Sequence, residues 1–240
     1  MKTLIKLEVL RILRNRRYLI FAVALPVGLY LVMVSAYQGQ DTLGGVSVKA
    51  YFMVSMATLG VVSASMNTNA MRIALERKSG WARQLRLTAL PGYGYVAAKV
   101  ASTAVSTLPA ILVTFAVGYA EGVKLSASEW LGLGLILWLG GFAFAALGVA
   151  LGYAAAPDSL QPIVMIVYMT LLMLGGTYFQ IGGSFGDFAK WTPVALYNQL
   201  GRVVQNGGSI GAGAVSAIIA YAAAFALLAA FLYQRDRKEA

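Results

Sequence analysis

The side chains best placed to do work in this sequence are gathered in one run, Met71–Pro91, MRIALERKSGWARQLRLTALP. Arg72, Glu76, Arg77, Lys78, Arg83 and Arg86 fall in it, between apolar stretches long enough to cross a bilayer. One carboxylate among five cations suits binding to an acidic surface or a soluble partner better than bond-making chemistry. The rest of the chain supplies little else. It has no cysteine and no histidine, which excludes disulfides, thiolate nucleophiles, Cys/His metal sites and an imidazole base. Its nine acids avoid the middle of every apolar run, where proton- and ion-coupled pumps place ionisable groups. Lys99 near Ser102 or Ser106 is a formal Ser-Lys pair, but these boundary positions have a topological explanation. Neither G-x-x-x-x-G-K-[ST] nor a G-x-G-x-x-G between strand and helix occurs, so no nucleotide bound in this chain is expected to supply energy.

On a helical wheel Arg72, Glu76, Ser79, Arg83 and Arg86 share about a quarter of the circumference, with Ala74, Trp81, Leu85 and Ala89 opposite. That predicts an amphipathic segment with its apolar side against the protein and its charged side outward. Composition says what carries it. Of 240 residues 59% are hydrophobic and 12% charged, about half the charge of an ordinary soluble domain, and mean hydropathy is +0.72. The net charge of +10 is not a nucleic-acid stripe, because basic residues collect at the ends of apolar runs without aromatic interleaving. Anionic lipid and membrane topology account for it better.

The fold class expected is an all-α polytopic membrane protein, one domain over residues 1–240, with six spans. Residues 1–18 alternate Leu, Ile and Val with Lys2, Lys6, Arg11, Arg14, Arg16 and Arg17, an interfacial amphipathic helix with snorkelling cations. A signal peptide fits less well, since no small-x-small site follows and Pro26 interrupts the next run. The spans run Leu19–Tyr37, Ala50 to Ala70, Tyr93–Tyr119 with a kink at Pro109, Trp130 to Ala155, Pro162 to Gln180, and Gly211–Tyr233. Residues 181–209 are too polar for a span and too apolar for a plain loop. They predict a short helical hairpin at or in the outer membrane face, with Thr192-Pro193 as a cap and first helical position. With an inside N-terminus, 15 of the 19 Lys and Arg residues fall on the inner side. The positive-inside rule therefore puts both termini and the 71–91 segment in the cytoplasm.

Within the segment, Glu76-Arg77, Gly80, Trp81, Gln84, Leu85, Arg86, Leu87 and Thr88 spell a motif. It resembles the cytoplasmic coupling segment of ABC-2-type transporter permeases, where Glu-Arg is followed by Gly and by a Gly-Trp-x-x-Gln-Leu-Arg-Leu-Thr core in bacterial drug exporters. The departure is Ala89, where many relatives have proline; Pro91 follows two residues later. The resemblance extends over the amphipathic start, the spans and the hairpin. It implies a non-catalytic permease subunit of the bacterial cytoplasmic membrane, paired with a second copy or a paralogue. ATP and Mg would be held by separate cytosolic ATPase subunits that grip Glu76, Arg77, Gly80, Trp81, Arg83, Gln84, Leu85, Arg86, Leu87 and Thr88. A bend or close approach is expected at Gly80, which costs about 1 kcal/mol within a helix.

Met53, Met56, Gly60, Ser63 and Asn67 fall on one stripe of the second span. By resemblance, spans one, two and five line a pathway, which would make Met53, Met56, Ser63 and Asn67 its candidates; ordinary helix packing is the other reading. Gly148-x-x-x-Gly152 predicts a helix–helix contact. The functional expectation is export of an amphipathic or hydrophobic small molecule, antibiotic or drug-like. Export of a polysaccharide, lipid-like molecule or sodium, and a non-transporting scaffold or immunity protein, are the alternatives.

Overall fold

Apolar sequence without histidine folds here as helices, as a chain that must satisfy its own backbone in lipid requires. The computed structural model describes residues 10, 14, 16–43, 45–80, 99, 101–179, 182–205 and 211–239. Nearly all of the expected interfacial helix at 1–18 and residues 81–91 of the coupling segment lie outside these.

Helix α1 is Arg16–Ala36, with Pro26 inside it. Two short antiparallel strands follow, β1 (Thr42–Leu43) and β2 (Val46–Ser47), with Thr42 opposite Ser47. Ser47 then caps α2 (Val48–Val62) by accepting from the Ala50 amide at 3.2 Å. Helix α2 continues through a π-helical turn, Ser63–Asn67, into α3 (Thr68–Lys78). After residue 99 the chain is helical at 101–106, breaks at Thr107 and resumes as α4 (Leu108–Ala120). The expected kink at Pro109 is thus a break placed just before it, because the proline sits in the first turn, where no amide donor is needed. Helix α5 is Ala127–Ala154, opened by a capping box between Ser126 and Glu129, and α6 is Leu160–Leu174. The 181–209 region contains two helices, α7 (Gly183–Ala189) and α8 (Pro193–Gln205), and α9 is Ala212–Glu239. Proline does open α8, but the Thr192 hydroxyl donates back to Ala189 O and does not cap it.

Among the described residues four helical stretches are long and apolar enough to cross a membrane: Val48–Lys78, Ala101–Ala120, Ala127–Ala154 and Ala212–Asp236; Val23–Ala36 and Leu160–Leu174 are shorter apolar helices. The 31-residue helix α2–α3 is the axle of the bundle. In its most apolar window 89% of residues are buried, against 6% for α9, which presents its apolar surface outward as a lipid-facing helix would. Helix α9 packs along α5, α3 and the π-turn pack on α5, and α1, α2 and α4 pack on one another. The glycines expected to make a helix contact do so: a Cβ added at Gly148 would strike the Met66 backbone, and one at Gly152 would come within 2.8 Å of Ile73 Cβ. Gly60 likewise admits Ala110 of α4.

Candidate functional site

At about 1.5 Å per residue the α2–α3 helix is roughly 46 Å long, some 15 Å more than the hydrocarbon core of a bilayer. Its last turn therefore stands clear of the core when Val48 sits at the opposite boundary. That turn carries Glu76, Arg77 and Lys78, and each goes to a different neighbour.

Glu76 is buried, not outward. Its Oε1 lies 2.5 Å from Lys99 Nζ, with the two side chains 6% and 1% exposed. The pair ends a polar seam between the α2–α3 helix and the 99–107 stretch. Asn69 Nδ2 donates to Thr103 Oγ1 at 2.9 Å and to Ser65 O at 2.7 Å, and Ser106 Oγ donates to Ala64 O at 3.5 Å. Lys99, Thr103 and Ser106 stand at i, i+4 and i+7, one helical face, so the seam is a matched pair of stripes. The Ser102 hydroxyl donates to Lys99 O, so the formal Ser-Lys arrangement is a helix back-bond here.

Arg77 turns the other way. Its Nη1 donates to Gly152 O at 3.0 Å and Ala155 O at 2.7 Å, the carbonyls at the C-terminal end of α5, where a cation is favoured by the helix dipole. Its Nη2 pairs with Asp236 of α9 at 3.0 Å, and the guanidinium lies 5.8 Å from the Tyr153 ring. Lys78 makes an exposed pair with Asp158 at 2.6 Å. One turn of α3 is thereby tied to residue 99 on one side and to the C-terminal ends of α5 and α9 on the other.

The turn also stops there. Ser79 N–H and Gly80 N–H bond back to Leu75 and Arg77 carbonyls, and Gly80 has φ +71°, the left-handed cap that favours glycine. The helix that carries Arg72 and Glu76 therefore ends at Gly80, and the rest of the wheel, Arg83 and Arg86 included, lies outside the described residues. Of the coupling residues expected from the sequence, Glu76, Arg77 and Gly80 are placed; Trp81, Arg83, Gln84, Leu85, Arg86, Leu87 and Thr88 lie outside the described residues.

Among the expected pathway residues, Met53 and Met56 are fully buried in the bundle core, Met53 filling the space left by Gly118. Ser63 and Asn67 keep some exposed surface and bracket the π-turn, Asn67 Nδ2 approaching Ser63 Oγ at 3.4 Å. The wider turn draws in side-chain donors: Ser65 Oγ bonds Val61 O at 2.6 Å, and Tyr168 of α6 bonds Leu59 O at 3.3 Å. A π-turn in the most buried helix of a bundle is a local departure of the kind that concentrates at functional positions.

From the sequence, Lys99 is set beside Ser102 or Ser106 and given a topological explanation; its pairing with Glu76 and the part played by Thr103 are missed. The opposite end of the bundle was missed as well. There Arg202 of α8 lies over the Tyr51 ring at 3.9 Å, and Gln205 Nε2 donates to Ala50 O at 2.8 Å.

The profile of the ABC-2 type transporter family matches residues 1–205. The chain belongs to this family. It is also similar to a Bacillus subtilis (strain 168) protein named "Putative transport permease YvfS", 27% identical over 233 residues that cover 95% of each chain. The ABC-2 type transporter chain is thus a multi-pass membrane protein, and its family in general works with an ATPase partner.

Proposed function

We propose that this chain is the membrane-spanning subunit of an ATP-driven exporter, with the segment from Glu76 to Thr88 as the lever on which a cytosolic ATPase pushes. The carrying observation is the division of labour at the end of α3. Glu76 and Arg77 are turned inward and anchor the lever to Lys99, α5 and α9. The motor is left with Trp81, Arg83, Gln84, Leu85, Arg86, Leu87 and Thr88. A push delivered beyond Gly80 then reaches three long helices at once, because their ends are bonded to a single turn.

The arrangement of ends supports six spans with both termini in the cytoplasm. Helix α1 ends next to the β1–β2 turn and α2 begins there, while Lys49 bonds Glu121 at that same end. The start of α1, the end of α3, the end of α5 and Asp236 of α9 belong to the opposite, strongly basic end. Two permease copies and two ATPase subunits, the latter holding ATP and Mg, would form the working unit in the bacterial cytoplasmic membrane. The cargo is an amphipathic or hydrophobic small molecule of antibiotic or drug-like character. It would pass by Ser63 and Asn67 at the π-turn, with Met53 and Met56 lining the way only when the helices part.

Co-purification with the ATPase tests the reading. The double charge reversal Arg83→Glu plus Arg86→Glu abolishes co-purification and ATP-dependent efflux while the permease still inserts. Intact complex and intact efflux in that variant would remove the lever from the mechanism.

A further inference from the structure

Helix α6 touches the bundle along one stripe. Leu160, Val164, Tyr168 and Leu172, four residues apart, are its buried positions, and its other faces are exposed or half-buried. It begins beside Asp158, which pairs with Lys78 at the Glu76 end, and at about 1.5 Å per residue it is roughly 22 Å long. A hydrocarbon core is about 30 Å thick, so the turn that follows α6, residues 175–177, lies within it. Carbonyls released at that depth need donors from elsewhere in the protein.

Three side chains supply them, and none belongs to α6. Asn198 Nδ2 donates to Gly175 O at 2.9 Å and to Thr177 Oγ1 at 3.2 Å. Tyr51 OH donates to Gly176 O at 2.9 Å, and Arg202 Nη2 reaches the same carbonyl at 3.2 Å. The guanidinium also lies on the Tyr51 ring at 3.9 Å and donates to Ser55 Oγ at 3.2 Å. A cation at the C-terminal end of a helix complements its dipole, so Arg202 gives α6 a cap delivered from α8. The elements that carry these donors are firmly seated. Nearly every residue of α2 is buried, Gly201 of α8 admits Val54 of α2, and the Tyr197 ring lies against Gly140 of α5. Helix α6 is held by its one stripe, the Tyr168 bond to Leu59 O, and this cap.

We propose that Arg202, Tyr51 and Asn198 are a latch on the end of α6, closed in the resting protein and released when α6 swings away from α2 and α8 to let cargo out. The bonds are directional and few, so a small displacement of α6 undoes them together. Release does not strand Arg202, because Ser55 and the Tyr51 face stay beside it on α2. The motion rests on the transport reading above; the latch itself stands on these contacts alone.

Thr177 is fully buried and the chain has no native cysteine, so Thr177→Cys reports the latch through its rate of labelling by a maleimide. In the permease alone that rate is low; Arg202→Gln raises it at least tenfold, and Tyr51→Phe, which keeps the ring under the guanidinium, raises it less. Unchanged labelling in both variants overturns the proposal. In the complex with its ATPase, trapping with ATP and vanadate raises labelling of Thr177→Cys by a similar factor. The same low rate after trapping, in a complex that performs ATP-driven efflux, overturns the release step and leaves the exporter reading intact. Absence of any ATP-driven efflux removes the exporter reading and the release step with it, while the rates in the permease alone still decide the latch. Should Arg202→Gln not fold, Thr177→Cys plus Asn198→Cys serves in its place, since the two native side chains meet at 3.2 Å. Mild oxidation joins the pair and stops efflux, and a reductant restores it; undiminished efflux in the cross-linked protein overturns the proposal.

Discussion

Breaking the Glu76–Lys99 pair is the sharpest physical test of how the lever is anchored. Both side chains are almost wholly buried and 2.5 Å apart, so solvent neither screens the pair nor rehydrates a survivor easily. Lys99→Met leaves a buried carboxylate, and Glu76→Gln leaves a buried ammonium; each single change costs about 3–5 kcal/mol. The double variant Glu76→Gln plus Lys99→Met removes both charges and keeps roughly the same volume. Its loss is no more than about 1–2 kcal/mol, so the cycle shows a large favourable coupling. In equilibrium terms, about 3 kcal/mol is more than a hundredfold. The assay is unfolding in mixed SDS and non-ionic micelles followed by tryptophan fluorescence. Trp138 is a well-placed reporter, because its indole N–H donates to Ala104 O on the stretch that begins at Lys99. Single variants each within 1 kcal/mol of wild type, or a double variant that loses the sum of the two, would refute the argument.

Other outcomes follow from the same contacts. Arg77→Gln removes the Arg77–Asp236 pair and the bonds to the α5 carbonyls, so ATP hydrolysis in the assembled complex continues while efflux falls at least tenfold; equal loss of both would place Arg77 in the motor contact instead. Gly148→Ala, which drives a Cβ into the Met66 backbone, lowers stability by about 1–3 kcal/mol. Gly28→Ala, with open space around it, is neutral or stabilising by up to about 1 kcal/mol, and the pair of melts checks both. Lys190→Ala raises the Asp187 carboxyl, which the ammonium beside it holds below its usual range. Asp187 then takes up its proton at higher pH in an NMR titration, while stability at neutral pH is unchanged because the pair is exposed.

Much of the bundle is written in the order of apolar runs and the positions of Lys and Arg, since length and lipid exclusion leave few alternatives for such stretches. The ends of helices were less legible. Glycine at 80 and at 175–176 ends α3 and α6 earlier than hydropathy alone suggests, because a left-handed turn depends on one residue and not on a window average. The direction of individual charged side chains was the hardest part. Arg72 and Glu76 sit on one face of an ideal wheel, yet Glu76 is claimed by a lysine 23 positions away, and no periodicity carries that information. The methionine stripe shows the same gap: spacing puts Met53 and Met56 on one face, and only packing reveals that the face is the core.

The claim on which the account stands is that the end of α3 and the basic segment after it face the cytosol. The chain has no native cysteine, so single cysteines can be introduced on a silent background. Ser79→Cys and Asp187→Cys are both at exposed positions, at opposite ends of the bundle. A membrane-impermeant maleimide applied to intact cells should label Asp187→Cys and leave Ser79→Cys untouched until the membrane is permeabilised. Labelling of Ser79→Cys from outside in intact cells would contradict the account.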